Sequence, residues 1–498
     1  MLATVRSATL HGLEPQIIEV EAGLLKGLSS FTIVGLPDKA FDVSRERITL
    51  ALRSINAKPP SKLNSRTVIN LAPGDVRKEG SHLDLAIALS FLAASEQARA
   101  VSDDTLCFGE LGLDGSLRCA HGVLPLVLGG LAAGFSRFLI PADNAAEMRY
   151  VRGGKIYSFR TLSEVVGFLE GTTPRAALEP EAFAPQPRET DLAFLKLPPH
   201  LWRTLTLVAA GRHNLLLYGP PGTGKTLIGR ALATLLPPLT YDQALDVTGV
   251  YSASGELREG FITHPPFRHP HHTASPVAIL GGGQNVRPGE VSLAHHGVLF
   301  LDELPEFQRN VLEGLREPLE EREITIARAK KRVRFAANFL FVGATNPCPC
   351  GFADDPQRDC SCSVADIRRY QKKLSGPILD RMDIFLAVPR LEGSKTFDPS
   401  TVDIPQIQRE IAQLHQRQLE RQGKCNGELT PQELEQRCPL MPEAQRMLEQ
   451  AIDRLALSLR AVHKIIRVAQ TIADLENSKI IEEPHVAEAV QYRFWRSE

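Results

Sequence analysis

Three short apolar runs stand out in the middle of the chain, each bounded by polar or turn-forming residues. Leu215–Tyr218 (LLLY), Val298–Leu301 (VLFL) and Phe339–Ala344 read as buried strands. A helical pattern, LIGRALATLL, follows the first of them. Upstream, β-like runs at Phe31–Val34 and Thr67–Leu71 alternate with helical stretches such as Asp84–Ala94. Beyond about Asp403 the chain is rich in Gln, Glu, Leu and Arg with few strand signals, which predicts helices. Between Gly171 and Thr190 stand Pro174, Pro180, Pro185 and Pro187; proline blocks both helix and ladder bonding, so this stretch reads as a linker. The expected organisation is an α/β block over 1–170, a linker over 171–190, a second α/β block over 191–391 and a helical domain over 403–498. No repeat of fixed period is visible.

Composition narrows the classes. The chain has 498 residues, 43% of them hydrophobic, with 57 Lys and Arg against 58 Asp and Glu. This excludes a uniformly basic nucleic-acid coat protein and an acidic disordered tail, but leaves room for a local basic patch. No apolar run reaches the ~18 residues of a membrane helix, and the N-terminus, MLATVRSATLHG, lacks an apolar signal core. A cytoplasmic protein without a membrane partner is expected. Four of the eight cysteines crowd between Cys348 and Cys362, which in a reducing compartment points to metal or redox chemistry.

The clearest chemistry lies at Gly219-Pro220-Pro221-Gly222-Thr223-Gly224-Lys225-Thr226. This is a phosphate loop placed between a strand and a helix, where glycines let backbone N–H groups converge on phosphate oxygens and the helix dipole assists. Lys225 is expected to reach the β- and γ-phosphates of ATP, and Thr226 to hold Mg²⁺. The second apolar run ends in Asp302-Glu303. Asp302 suits the Mg²⁺ shell, and Glu303 suits a water attacking the γ-phosphate. Asn346, at the tip of the third run, is a candidate to hold the same water.

Read in order, GPPGTGKT, PGEVSLAHHGVLFLDELPEF, ATNPCPCG and SGPILDRMDIF resemble an AAA+ ATPase, and more narrowly the magnesium-chelatase-like proteins of the ComM/YifB type. The resemblance runs from SFTIVGLPDKA (Ser30–Ala40) to the C-terminal SLRAVHKIIRVAQTIADL. It implies an α/β multidomain fold: an N-terminal S5/Lon-protease-like α+β domain, an AAA+ P-loop α/β core and a C-terminal helical lid. By the same resemblance Arg381, in LDRMD, is the arginine finger that reaches a neighbour's γ-phosphate, and Arg460, in SLR, is the sensor-2 arginine of the lid. A finger supplied by the neighbour implies a closed ring, which for this family is a homo-hexamer.

Residues 323–334, EITIARAKKRVR, read as a hairpin whose cations include Arg328, Lys330, Lys331 and Arg332. Charge of one sign at a tip suits the DNA backbone without reading sequence, and in this branch such a hairpin faces the pore. The stretch 261–285, with His264, Arg268, His269, His271, His272 and three glycines, reads in the family as a further pore loop rather than a metal site. Cys348, Cys350, Cys360 and Cys362 form two C-x-C pairs that can give tetrahedral zinc four thiolates; free or redox-active thiols are the alternative.

Pro73–Leu85 resembles the Lon protease domain, but His82 falls where that family has its nucleophile, with Ser81 one residue early, and Pro125 falls where it has the partner lysine. A Ser-Lys pair needs that amine, so a non-proteolytic module is expected. The resemblance therefore implies an ATP-dependent hexameric DNA helicase that drives branch migration of recombination intermediates, notably in natural transformation, on single-stranded, double-stranded or branched DNA, with a recombinase as a further partner. The rival readings are a Lon-like protease or unfoldase and a magnesium-chelatase subunit.

Overall fold

The computed structural model describes residues 2–493 apart from 37–39, 77, 79, 186–187, 189–191, 193–194, 196, 259, 284–285, 329–330, 354, 356, 375 and 391–401. The chain forms two compact units. One comprises Met1–Ala184 with Tyr241–Ile262, the other Pro185–Thr240 with Thr263–Glu498.

The first unit is built on a mixed sheet. Strands β1 (Leu2–His11) and β2 (Glu14–Lys26) form a long antiparallel hairpin. Outside β2 lie β4 (Ser65–Ala72), antiparallel, and β3 (Ser30–Val34), parallel to β4. Outside β1 lie β5 (Thr105–Cys107), β8 (Arg137–Pro141) and β9 (Lys155–Phe159), all parallel. A small hairpin, β6 (Glu110–Leu111) with β7 (Leu117–Arg118), stands apart. The helix Asp84–Ala94 is apolar nearly all round and is accordingly buried, packed with Ile18, Val20, Ile69 and Leu71.

The stretch 241–262 belongs to this unit and not to the block in which sequence continuity had placed it. Its helix, Tyr241–Ser254, runs beside the helix Val123–Ala132, and Leu245 and Phe261 join that helix's core. Gly122 N donates to Ser252 O (2.9 Å), and the Tyr241 hydroxyl to Tyr150 O (3.0 Å). Periodicity identifies an amphipathic helix but not the core it will join. The proline-rich segment is also laid against this unit: Leu178 N donates to Ile156 O at the sheet edge, and the Phe183 ring lies edge-on to Tyr150 and Tyr241.

The second unit holds a five-stranded sheet, every pair parallel, in the order β11-β12-β15-β10-β16. The strands are β10 (Leu215–Tyr218), β11 (Phe267–Arg268), β12 (Val298–Leu301), β15 (Leu340–Thr345) and β16 (Ile384–Ala387). The cationic hairpin is present as β13 (Glu323–Arg328) and β14 (Lys331–Ala336), with Arg328 opposite Lys331. The C-terminal region is helical, with Asp403, Thr430 and Ser458 capping the helices that begin at Ile404, Pro431 and Leu459. These helices share one core with the sheet: Leu215, Val342 and Ile384 lie in the same cluster as Ile411, Leu414, Ile465 and Ile472. Among the described residues no helix is long and apolar enough to cross a membrane.

A buried ion pair pins the helices to the sheet. Lys464 Nζ donates to Asp383 Oδ1 (2.7 Å), and Asp383 Oδ2 accepts from Asn214 N at the start of β10 (2.8 Å). Burial pushes the Lys464 amine down to about 8, and Asp383 opposes that push. Removing one partner strands the other charge without water. Asp383→Ala is therefore expected to cost about 3–5 kcal/mol in chemical denaturation, and a change below ~1 kcal/mol would refute this role of the pair.

Candidate active site

The parallel sheet brings the tips of its strands to one edge. Gly219 follows β10, Asp302 follows β12, and Asn346 follows β15. The phosphate loop ends at Gly224, which has a left-handed φ of 84° and caps the helix Lys225–Leu235 without a side-chain hydrogen bond. That leaves the first N–H groups of the helix directed at the loop, as anion binding requires.

Side chains from the loop and from the strand tips meet at this edge. Thr226 Oγ1 donates to Asp302 Oδ2 (2.7 Å), so both proposed Mg²⁺ ligands lie together. Lys225 Nζ donates to Gly219 O and Pro220 O (2.8 Å each) and to Asn346 Oδ1 (3.2 Å). Burial pushes the Lys225 amine down to about 8, against the attraction of Asp302 and Glu303. Glu303 takes a left-handed backbone with φ of 50°, a strained conformation of the kind that gathers at functional sites. Glu303 and Asn346 line one cavity of about 590 Å³ together with Tyr370 and Lys373.

Several participants were not legible in the sequence. Tyr370, on the helix Val364–Lys373, interacts with Thr345 and the Asn346 backbone at the tip of β15. Lys373 Nζ pairs with Glu306 (3.0 Å). The loop after β11 turns toward the carboxylate strand: Arg268 grips Glu290 with two bonds (2.5 and 2.7 Å), the His269 ring meets Phe300 edge-on, and His272 Nδ1 lies 3.2 Å from Glu303 Oε2. Tyr370 sits in no motif that would have marked it, whereas His272, read from the sequence as part of a His-rich pore loop, stands beside Glu303.

Arg381 and Arg460 lie away from this edge. They line a second cavity, of about 530 Å³, with Arg322, Lys464 and Arg467. Arg381 donates to Pro377 O (2.6 Å) and pairs with Glu320; burial lowers its pKa first, and Arg460 and Arg316 add to that. Arg460 is exposed, one turn before Lys464 on the same helix.

The four cysteines converge. Sγ separations are 3.3 Å for Cys348–Cys350 and 3.6 Å from Cys360 to each, and all four sulfurs lie within 4.8 Å of one another. A tetrahedron with metal–sulfur bonds of about 2.3 Å has edges of about 3.8 Å, so the set fits zinc. A hydrogen bond from the Phe352 backbone holds the Cys350 thiol down to about 5. Gly351, with φ of 88°, abuts the phosphate loop: a Cβ there would stand 2.6 Å from Pro221 Cδ.

Of the cationic hairpin, Arg332 is exposed and Arg334 lies 3.6 Å from Glu323. Lys330 lies outside the described residues, as do the side chains of Arg328 and Lys331. In the first unit, Ser81 Oγ donates to Glu110, and His82 Nε2 meets Ala8 O (2.9 Å). Arg47 ties Glu110 to the buried Asp84, whose carboxyl burial pushes up to about 6.

Comparison with known proteins decides the family. Residues 191–396 match the family described as magnesium chelatase, subunit ChlI, residues 20–144 match subunit ChlI of Mg-chelatase, and residues 403–493 match the ChlI C-terminal family. The competence protein ComM of Haemophilus influenzae is 42% identical over 504 residues, covering 99% of this chain and 97% of its own. The chain belongs to the ComM/YifB family of magnesium-chelatase-like AAA+ ATPases. The YifB protein of Escherichia coli is 38% identical, covering 99% of this chain and 97% of its own. A probable DNA helicase, MCM9, of Arabidopsis thaliana is 28% identical over 36% of this chain and 23% of its own. Membership implies ATP and Mg²⁺ as cofactors.

The Lys225 environment gives a pH signature. A phosphate held by Lys225 requires the amine charged, so above about pH 8 binding would first take up a proton. ATP affinity is therefore expected to weaken as pH rises through about 8, with proton uptake seen by calorimetry in buffers of different ionisation heat. Affinity that stays level from about pH 7 to pH 9.5 would contradict this account.

Proposed function

We propose that this protein is an ATP-driven, ring-forming DNA motor that moves branched recombination intermediates, in the setting named by its competence relative. The observation that carries the reading is the separation of two half-sites. One edge of the sheet gathers Lys225, Thr226, Asp302, Glu303 and Asn346. Arg381 and Arg460 share a different cavity. A second copy of the chain, presenting its arginine cavity to the first copy's phosphate loop, completes the site, and repetition of that contact closes a ring, here taken as a hexamer.

In this reading Glu303 and Asn346 orient the attacking water, while Lys225 and the loop N–H groups hold the phosphates. Thr226 and Asp302 hold Mg²⁺, which neutralises phosphate charge when bound. Asn346 turns its carbonyl toward Lys225, which leaves its amide NH₂ as a donor. The neighbour's Arg381 and Arg460 offset charge developing on the transferred group. Cys348, Cys350, Cys360 and Cys362 hold a structural zinc that stiffens the segment between Asn346 and the phosphate loop. The hairpin residues Arg328, Lys330, Lys331 and Arg332 contact the DNA backbone. The first unit is a non-proteolytic module, in keeping with a Ser81 hydroxyl engaged by a carboxylate rather than an amine.

The deciding experiment is ATP hydrolysis measured alone and with single-stranded, forked and four-way DNA. Strong stimulation by branched DNA is expected; none by any DNA would end the motor reading. Mixing Arg381→Ala with Glu303→Gln chains, each inactive alone, should recover part of the activity, since some interfaces then hold both groups; no recovery at any ratio would exclude a finger acting between subunits. Replacing Lys330, Lys331 and Arg332 by Ala should weaken DNA binding regardless of sequence and reduce the log–log salt slope by about 0.9 per lost phosphate contact. An unchanged slope would remove the hairpin from the interface.

A further inference from the structure

We propose that Cys350 and Cys360 form a reversible oxidation site: a peroxide joins them as a disulfide, opens the four-cysteine cluster and slows ATP hydrolysis. The inference rests on the cluster holding zinc and on Glu303 and Asn346 serving hydrolysis, and adds a regulatory role to thiols whose other role is structural.

Reach and access choose the pair. Cys348 is buried, whereas Cys350, Cys360 and Cys362 are half-buried and open to a small oxidant. Cys350 Sγ and Cys360 Sγ stand 3.6 Å apart, so an approach of about 1.5 Å makes an S–S bond. One sulfur attacks a peroxide oxygen and becomes a sulfenic acid; the other displaces its hydroxyl and completes the disulfide. The pair gives up two electrons, and the peroxide takes them with two protons to leave as two waters. Only Cys348 and Cys362 then remain as thiolates, two short of a tetrahedral set, so zinc is released.

The cluster is tied to the strand-tip edge from both of its ends. Cys348 follows Asn346 by two residues, and Cys362 directly precedes Ser363, whose side chain caps the helix Val364–Lys373. That helix turns back on the strand tip: Tyr370 interacts with Thr345 and the Asn346 backbone, and Gln371 Nε2 donates to Pro347 O (3.3 Å). The cavity lined by Glu303 and Asn346 is walled by Pro349, Ser361 and Cys362 as well as by Tyr370 and Lys373. Four sulfurs held together therefore keep the helix seated against Asn346. A bond that draws two of them together and releases the others loosens the wall beside the attacking water. Gly351, next to Cys350, carries the same movement to Pro221 of the phosphate loop.

The test uses the full-length chain carrying Cys119→Ser, which removes the exposed thiol of the first unit. Hydrogen peroxide is added in steps while disulfides are mapped by peptide mass, zinc release is read with a chromogenic chelator and kcat for ATP is measured. A phosphine reductant and Zn²⁺ are then added. A Cys350–Cys360 disulfide should appear together with about one zinc released per chain and a fall in kcat of roughly tenfold or more. Reduction with zinc should restore kcat, which separates a disulfide from sulfinic acid. Unchanged kcat once the disulfide has formed, a fall in kcat without it, a fall that reduction does not reverse, or no cluster disulfide at a dose that oxidises the methionines would each overturn the inference. A bond between any other pair would overturn its assignment to Cys350 and Cys360. A purified chain without zinc, or without ATP hydrolysis before oxidation, would instead overturn the reading on which it rests.

Discussion

The register of three parallel strands governs everything else in the second unit. Tyr218 lies opposite Thr345, and Leu301 opposite Gly343. That alignment puts the residues that follow, Gly219, Asn346 and Asp302, at the same edge. Because the strands are covered on both faces, a slip of one residue would turn a whole row of side chains over. The apolar identity of LLLY, VLFL and LFVGAT thus fixes the distances between Lys225, Asp302 and Asn346.

A second constraint acts on the opposite side of the same sheet. Asp383 follows Arg381 by two residues, and its partner Lys464 follows Arg460 by one helical turn. The buried ion pair therefore sets where the partly buried Arg381 and the exposed Arg460 can stand. Hydrophobic burial alone would hold the helix Leu459–Leu475 against the sheet, but it is non-directional; the charge pair selects one orientation. The geometry of a shared arginine cavity is thus written into the core rather than into the surface.

How much could be read beforehand follows from how local each feature is. The phosphate loop, Asp302-Glu303 and the cysteine pairs are contiguous or nearly so, and chemistry that needs adjacent residues leaves a string to find. The strands around them are legible because burial forces apolar runs. Tyr370, on a helix, and His272, in a His-rich loop, reach Thr345 and Glu303, 25 and 31 positions away, and nothing in the string around either one names so distant a partner. The helix Tyr241–Ser254 shows the same limit at larger scale. Its pattern gives its type, whereas its partner surface, around Val123–Ala132, is set by tertiary packing.

That helix has a consequence for any attempt to take the protein apart. The backbone passes from one unit to the other three times, after Ala184, after Thr240 and after Ile262. No single cut separates them. A polypeptide started at residue 185 would carry Leu245 and Phe261 stripped of their cover and prone to self-association, while residues 1–184 alone would have a matching scar beside Leu124 and Val127. Splicing a short bridge across 240 and 263 would free the first fragment of that surface and leave the strand-tip edge intact, which makes the excursion a seam as real as the crossing after Ala184 in the proline-rich stretch.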